Sequence, residues 1–286
     1  NGGNATGGIT LAGQTAPLGG ITITGGKLRL FGVDHIIARF MKFRETTPTD
    51  GCFSTTGGSY IIFDHLSASN TPDICFSLTS NINIPTDKTL QNCLMAQSKN
   101  ALIIGDTTPT PNVDYGDISV IRNAYYNISH RIPFKGGAAI KVDAINNIAH
   151  NWKSRLIRMD AHNYTLNHIG NYYQSGINST QTLKHTSWAN DPNILPQIYN
   201  FNNYMNPETA PDGYIEDESL VWTEYQVNFE PLPSNWFIDN ALPLKGNTNF
   251  TIYDSSELFD EVVPYVGSYK YIDDNGNPAE YRDVYD

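Results

Sequence analysis

Short apolar runs, each closed by a polar or aromatic residue, recur along the whole chain. The first two are Ile9-Thr10-Leu11 and Ile21-Thr22-Ile23, set on either side of a tight Gly/Pro/Gln turn. Further runs lie at Ile36-Ile37-Ala38-Arg39-Phe40, Tyr60-Ile61-Ile62-Phe63-Asp64-His65 and Lys88-Thr89-Leu90-Gln91-Asn92-Cys93. They continue at Ile118–Asn123, Ile140–Asn147, Tyr164–His168 and Gln197–Asn203. Aligning their ends on Phe40, His65, Asn92, Asn123, Asn147, Asn171 and Asn203 gives steps of 25, 27, 31, 24, 24 and 32 residues. A period of about 22 to 30 residues is what one turn of a parallel β-helix needs, three short strands and three bends. A β-sandwich would space its strands more closely, at about 8–12 residues. A leucine-rich horseshoe would need a Leu/Asn signature that this chain lacks. Asn suits the bends twice over: it tolerates left-handed backbone, and its amide can stack on the next into a hydrogen-bonded ladder. The expected fold class is all-β, a parallel β-helix.

Loops are expected to interrupt the coils at residues 45–58, 99–116 and 174–196. From about Pro207 the chain turns acidic and proline-punctuated, with Trp222, Trp236 and many Tyr. Leu258, Phe259, Val262 and Val263 fall at helical spacing there, with Ser255 or Ser256 as the expected N-cap. The pattern therefore predicts a β-helix over residues 1–206. Residues 207–286 form a loop-rich C-terminal tail with a short helix, packed on or capping the coils.

Composition narrows the function. The chain has 286 residues, enough for one large core, and a net charge of -11 with only 16% charged residues. That balance argues against a nucleic-acid surface. It would also repel an acidic polymer at long range, so an acidic-glycan site needs local cations or a bound metal. No run of 18 apolar residues is present, so no transmembrane helix is expected. With Asn1 first and neither an initiator Met nor a signal peptide, the sequence reads as a processed protein or a piece of a longer one. Sequons at Asn4, Asn127, Asn163, Asn178 and Asn249 carry little weight in so Asn-rich a chain. Cys52, Cys75 and Cys93 match no zinc spacing. They read as buried small apolar residues in successive turns, with one disulfide open to them in an oxidising compartment.

Several segments resemble the pectate lyase-like family, the right-handed parallel β-helix polysaccharide lyases. They are residues 9–17, Ile36–Arg44, Ile62-Phe63-Asp64-His65, Pro72-Asp73, His130-Arg131-Ile132-Pro133, Asn146–Trp152, Ile169–Tyr173 and the closing residues 282–286. The resemblance covers most of the chain. It implies a right-handed β-helix and β-elimination across a uronic-acid glycosidic bond. That reaction needs a base for the C5 proton and a cation, Ca²⁺, to neutralise the adjacent carboxylate. Arg131 matches the family's Arg-x-Pro motif, which implies the base, with Pro133 fixing the bend that aims it into the groove. Lys135 would pair with a substrate carboxylate, and His130 would contact sugar. Asp50 and Asp73 match places where the family gathers Ca²⁺ ligands. Ca²⁺ takes roughly six to eight oxygens, so two carboxylates would leave room for water and substrate. Asp64 and His65 read as structural.

The departures from the family point the other way. Asp73-Ile74 stands where relatives read Asp-Glu, the groove lysine falls near Leu78 or Thr79, and Phe134 replaces a second Arg. Two readings follow. One is an extracellular lyase acting on acidic polysaccharide. The other is an inactive glycan-binding or structural β-helix of a tail spike, fibre or cell-surface assembly, with homo-oligomers expected. A third, weaker reading is glycoside hydrolysis by Asp106, Asp114 or Asp117. His150, His162, His168 and His185 show no metal spacing. Trp152, Trp188, Trp222 and Trp236 are candidates for stacking on sugar, with core packing expected for at least two.

Overall fold

The computed structural model describes residues 7–45, 51–79, 87–105, 114–137, 139–154, 156–159, 163–179, 186–188, 195–206, 225–227, 230–243 and 250–282. Three parallel sheets run through it, and each coil gives one strand to each sheet in turn. The first sheet stacks Ile9–Ala12, Ile36–Arg39, Ile61–Asp64, Lys88–Gln91, Asp114–Ile121, Ala139–Ile145, Thr165–Ile169 and Gln197–Phe201. The second stacks Ile21–Thr24, Met41–Arg44, Ser67–Ser69, Leu94–Ala96, Ala124–Tyr126, Ile148–His150, Tyr172–Gln174 and Tyr204–Asn206. The third stacks Leu28–Phe31, Phe53–Thr56, Ile74–Thr79, Asn100–Gly105, Lys135–Gly137, Arg158–Met159, Thr186–Trp188 and Tyr225–Val227, with Glu230–Pro231 antiparallel at its end. The winding is right-handed, the hand that parallel crossovers take.

The third sheet corrects the expected loops. Phe53–Thr56, Asn100–Gly105 and Thr186–Trp188 all lie inside them. These strands are short and several keep apolar or small residues on both faces. The alternation that marks a half-buried strand is therefore missing. A strand from beyond residue 206, Tyr225–Val227, also joins this sheet.

Strand alternation sends every second side chain into the coil. Across the first sheet Ile36, Ile61, Ile118, Val142, Leu166 and Ile198 stack inward in register. Across the second, Phe43, Ala68, Met95, Tyr125, Ala149 and Tyr173 do the same. Each of the larger aliphatic and Phe side chains buried this way contributes about 1.5–3 kcal/mol. Trp152 and Trp236 belong to this core. Cys52, Cys75 and Cys93 are buried and free. Burial pushes all three thiols up, Cys75 to about 11.

Between the first and second sheets the chain turns through left-handed residues at Phe40, His65, Asn92, Arg122, Asn146, Gly170 and Asn202. Asn123, Asn147, Asn171 and Asn203 sit one residue later, so the aligned ends mix two adjacent positions. These four are buried and form the ladder. Asn123 donates its amide to Asn147 Oδ1 at 3.0 Å, Asn147 to Asn171 at 3.0 Å and Asn171 to Asn203 at 2.8 Å.

The tail runs back along this ridge from the last coils to the first. Leu242 N donates to Asn167, Tyr253 N to Asn146, Gly267 N to the Asn92 carbonyl, Ser268 N to Ser67 Oγ and Ile272 N to the Ala16 carbonyl. A 3-10 turn, Ser255–Glu257, leads into a short α-helix, Leu258–Glu261. Asp254, not Ser255 or Ser256, is the cap, in a capping box with Glu257. Leu258 and Val262 are buried against Leu94, Ala124, Ile148 and Tyr172, while Phe259 and Val263 stay exposed.

Candidate functional site

The outward face of the third sheet carries one of the two predicted cations, Lys135. Phe134 is in the core, so alternation turns Lys135 out. Lys135 pairs with Ile103 on one side and Arg158 on the other. Two cations therefore stand on neighbouring rungs, about 4.8 Å apart along the coil axis. Arg158 was not singled out by the sequence, because a two-residue strand has no alternation to read.

A second column runs through the residues that lead into the same strands. Asn100 forms a parallel bridge with His130. The Asp73 carbonyl accepts from Asn100 N at 2.7 Å, and Asp73 Oδ1 accepts from the Asn100 side-chain amide at 2.7 Å. Asp73, Asn100 and His130 thus sit on three consecutive coils, so Asp73 and His130 are about 10 Å apart along the axis. Arg131 follows His130 with left-handed backbone, φ 68°. The Ile132–Pro133 peptide is cis, and both residues are buried. Arg131 and His130 stay partly exposed, while Tyr125 is buried in the core.

Leu78 is buried in the core and Thr79 donates its hydroxyl to the Thr55 carbonyl. Neither supplies the groove cation of the family. Arg158 brings one, two coils away from Ile103 on the same row.

Asp50 lies outside the described residues. Among the described residues no group of three or more His, Cys, Asp and Glu side chains gathers. Asn100 is buried and its Oδ1 makes no hydrogen bond. The Asn100 amide turns its nitrogen toward Asp73 and its oxygen is sealed from solvent, so among the described residues Asp73 alone offers an accessible oxygen here, short of the roughly six to eight that Ca²⁺ takes.

Other candidates fall elsewhere. Asp64 accepts from His65, Arg39, Gln91 and Asn92 on the first sheet. Burial would raise its carboxyl, but these partners outweigh burial and hold it at about 2. His168 is sealed in the core against Tyr173 and Asn200, and burial pushes it down to about 3. His150 stacks on Tyr126 outside the second sheet. Asp106, His162, His185 and Trp222 lie outside the described residues.

No family model matches the chain. Curated relatives do. It is 29% identical over 219 residues to a probable pectate lyase C of Neosartorya fischeri, covering 74% of this chain and 48% of that protein. It is 31% identical over 180 residues to a probable pectate lyase C of Aspergillus terreus, covering 61% and 41%. The chain thus spans about half the length of the curated relatives it matches. A thermostable pectate lyase superposes with a TM-score of 0.63 at 15% identity, over 86% of this chain and 65% of that one. The cedar pollen allergen jun a 1 gives 0.59 at 14%, over 91% and 77%. A pectate lyase bound to a hexasaccharide gives 0.59 at 14%, over 87% and 65%. In sequence this chain is similar to curated pectate lyases, and it shares the right-handed parallel β-helix fold of the solved pectate lyases.

Proposed function

We propose that the chain is an extracellular polysaccharide lyase that cleaves uronic-acid polysaccharide by β-elimination on the outward face of the third sheet. The observation that carries this is the pair Lys135 and Arg158, in register beside the Arg131 turn on a molecule of net charge -11. An acidic protein gains a polyanion site only where cations cluster locally. Lys135 and Arg158 pair with carboxylates of successive sugar units, and His130 and Pro133 shape the floor around them. Arg131 takes the C5 proton; the C4–O bond breaks as the C4–C5 double bond forms, and the departing oxygen is protonated. A guanidinium is almost always charged. Its use as a base rests on the flanking cations, which favour the neutral form. Asp73 would be one ligand of Ca²⁺, which when bound would neutralise the substrate carboxylate and acidify the C5 proton. Asp50 is the remaining candidate ligand.

The experiment is a uronan assay read by ultraviolet absorbance of the unsaturated product, with Ca²⁺ and with chelator. Product formation that chelator and Asp73→Ala both suppress supports the proposal. Product formation indifferent to both removes the metal role, and no product on any uronan removes the lyase. A second reading, glycan binding without cleavage, draws on Leu78 and Thr79, which leave the family's cation position neutral. Binding of uronan without product would favour it.

A further inference from the structure

A separate cavity opens on the outward face of the first sheet, with a volume of about 360 Å³. Asp117, Lys141, Asp143, Thr165 and Gln197 line it from four neighbouring strands. The inward residues between them, Val142, Leu166 and Ile198, are in the core, so alternation turns this polar set outward. The wall comes from the tail, where Leu242 and Pro243 close one side. Asn167 fixes that wall with a two-way pair: its amide donates to the Leu242 carbonyl at 3.0 Å, and its Oδ1 accepts from Leu242 N at 3.0 Å. The same Asn167 amide donates to Asp143 Oδ1 at 2.8 Å. The cavity is thus built from coil and tail together, and its size lies at the low end of small-ligand clefts, about 300–1,000 Å³.

The donor set selects the ligand. Two carboxylates against one ammonium, Lys141 at 4.0 Å from Asp117, disfavour an anion such as a uronate. The ammonium beside Asp117 in turn disfavours a divalent cation, with which it would compete for the carboxylate. Carboxylates accept, the ammonium donates, and the Thr165 hydroxyl and Gln197 amide do both. Such alternation suits hydroxyl groups, each of which donates and accepts. Burial, with Asp117's charge adding to it and the Asn167 hydrogen bond opposing it, pushes the Asp143 carboxyl up to about 6. We infer that this cavity is a second carbohydrate site, for a neutral glycosyl unit, on a different sheet from the Lys135–Arg158 face.

The test is calorimetric titration of the full chain with neutral gluco-, galacto-, manno- and xylo-tetraose, and with trigalacturonate and Ca²⁺ as contrasts. At least one neutral tetrasaccharide is expected to bind. Gln197→Ala and Thr165→Val are each expected to weaken it by about fivefold or more, the loss of one hydrogen bond, with circular dichroism unchanged. Both positions are on the surface of the sheet, and if one variant loses its fold the other decides. The inference is overturned if no neutral tetrasaccharide binds, or if the folded variants bind it as the parent does. It is equally overturned if the ligand whose binding they weaken is trigalacturonate or Ca²⁺.

Discussion

Asn147 is held from both sides. Its amide donates to the Val120 carbonyl and to Asn171 Oδ1, and its Oδ1 accepts from Asn123 N and from the Asn123 amide. Removing it leaves several buried partners unsatisfied, each costing about 1–3 kcal/mol. Asn147→Ala is therefore expected to lower stability by about 3 kcal/mol or more in denaturant unfolding. Asn146, one residue earlier, has the other job: it turns the chain and pairs with Tyr253 outside. Lys88 breaks the inward apolar stack between Ile61 and Ile118. Its ammonium donates to the Thr79 and Gly57 carbonyls at 2.8 and 3.2 Å. Burial drives it down to about 7, with Asp34's charge opposing. The unfolded chain then binds more protons than the folded one between about pH 7 and the ordinary lysine value, so stability rises with pH across that window. Relative to Lys88→Met, the parent chain is expected to gain stability from pH 7 to 9. An unfolding difference that stays constant over that range contradicts this.

At the scale of elements, the tail packs Leu232 and Trp236 into the main core, and residues 250–282 hold to the coils through a smaller apolar patch and hydrogen bonds to coil side chains and backbone. Leu258 is fully buried in that patch. Leu258→Ala is expected to cost about 2–5 kcal/mol. It should also open residues 250–282 to protease before the coils are cut; cleavage in the coils first would contradict it. Much of this architecture was legible. The first-sheet runs gave the period, and helical spacing found Leu258 and Val262. The third sheet was hidden because Ile74, Ile103 and Gly136 break its alternation. The proposed site was legible only in part for the same reason. His130, Arg131, Pro133 and Lys135 lie in one contiguous motif. Arg158 and Asn100 join them only through coil register, which no local pattern in the sequence carries.

For the whole molecule, charge sets the terms of binding. The net charge of -11 repels a polyanion at a distance, while on the proposed function Lys135 and Arg158 attract it on contact. Screening shortens the long-range repulsion first, with a Debye length of about 8 Å at physiological salt. Moderate NaCl is therefore expected to raise kcat/KM on polygalacturonate, measured from initial rates at low substrate. A steady fall from the lowest salt would show that attraction dominates at all ranges. The β-helix presents the proposed groove and the first-sheet cavity on different sheets, so each can be altered without the other. The proposed function rests most directly on Arg131, just before the third-sheet strand that begins at Lys135. The decisive comparison is the rate of unsaturated product from polygalacturonate, in Ca²⁺, for the parent chain and Arg131→Ala. The variant is expected to be folded and slower by about 10²–10⁴-fold, the share of a general base. An unchanged rate in the variant, or no product from the parent chain, would contradict the assignment.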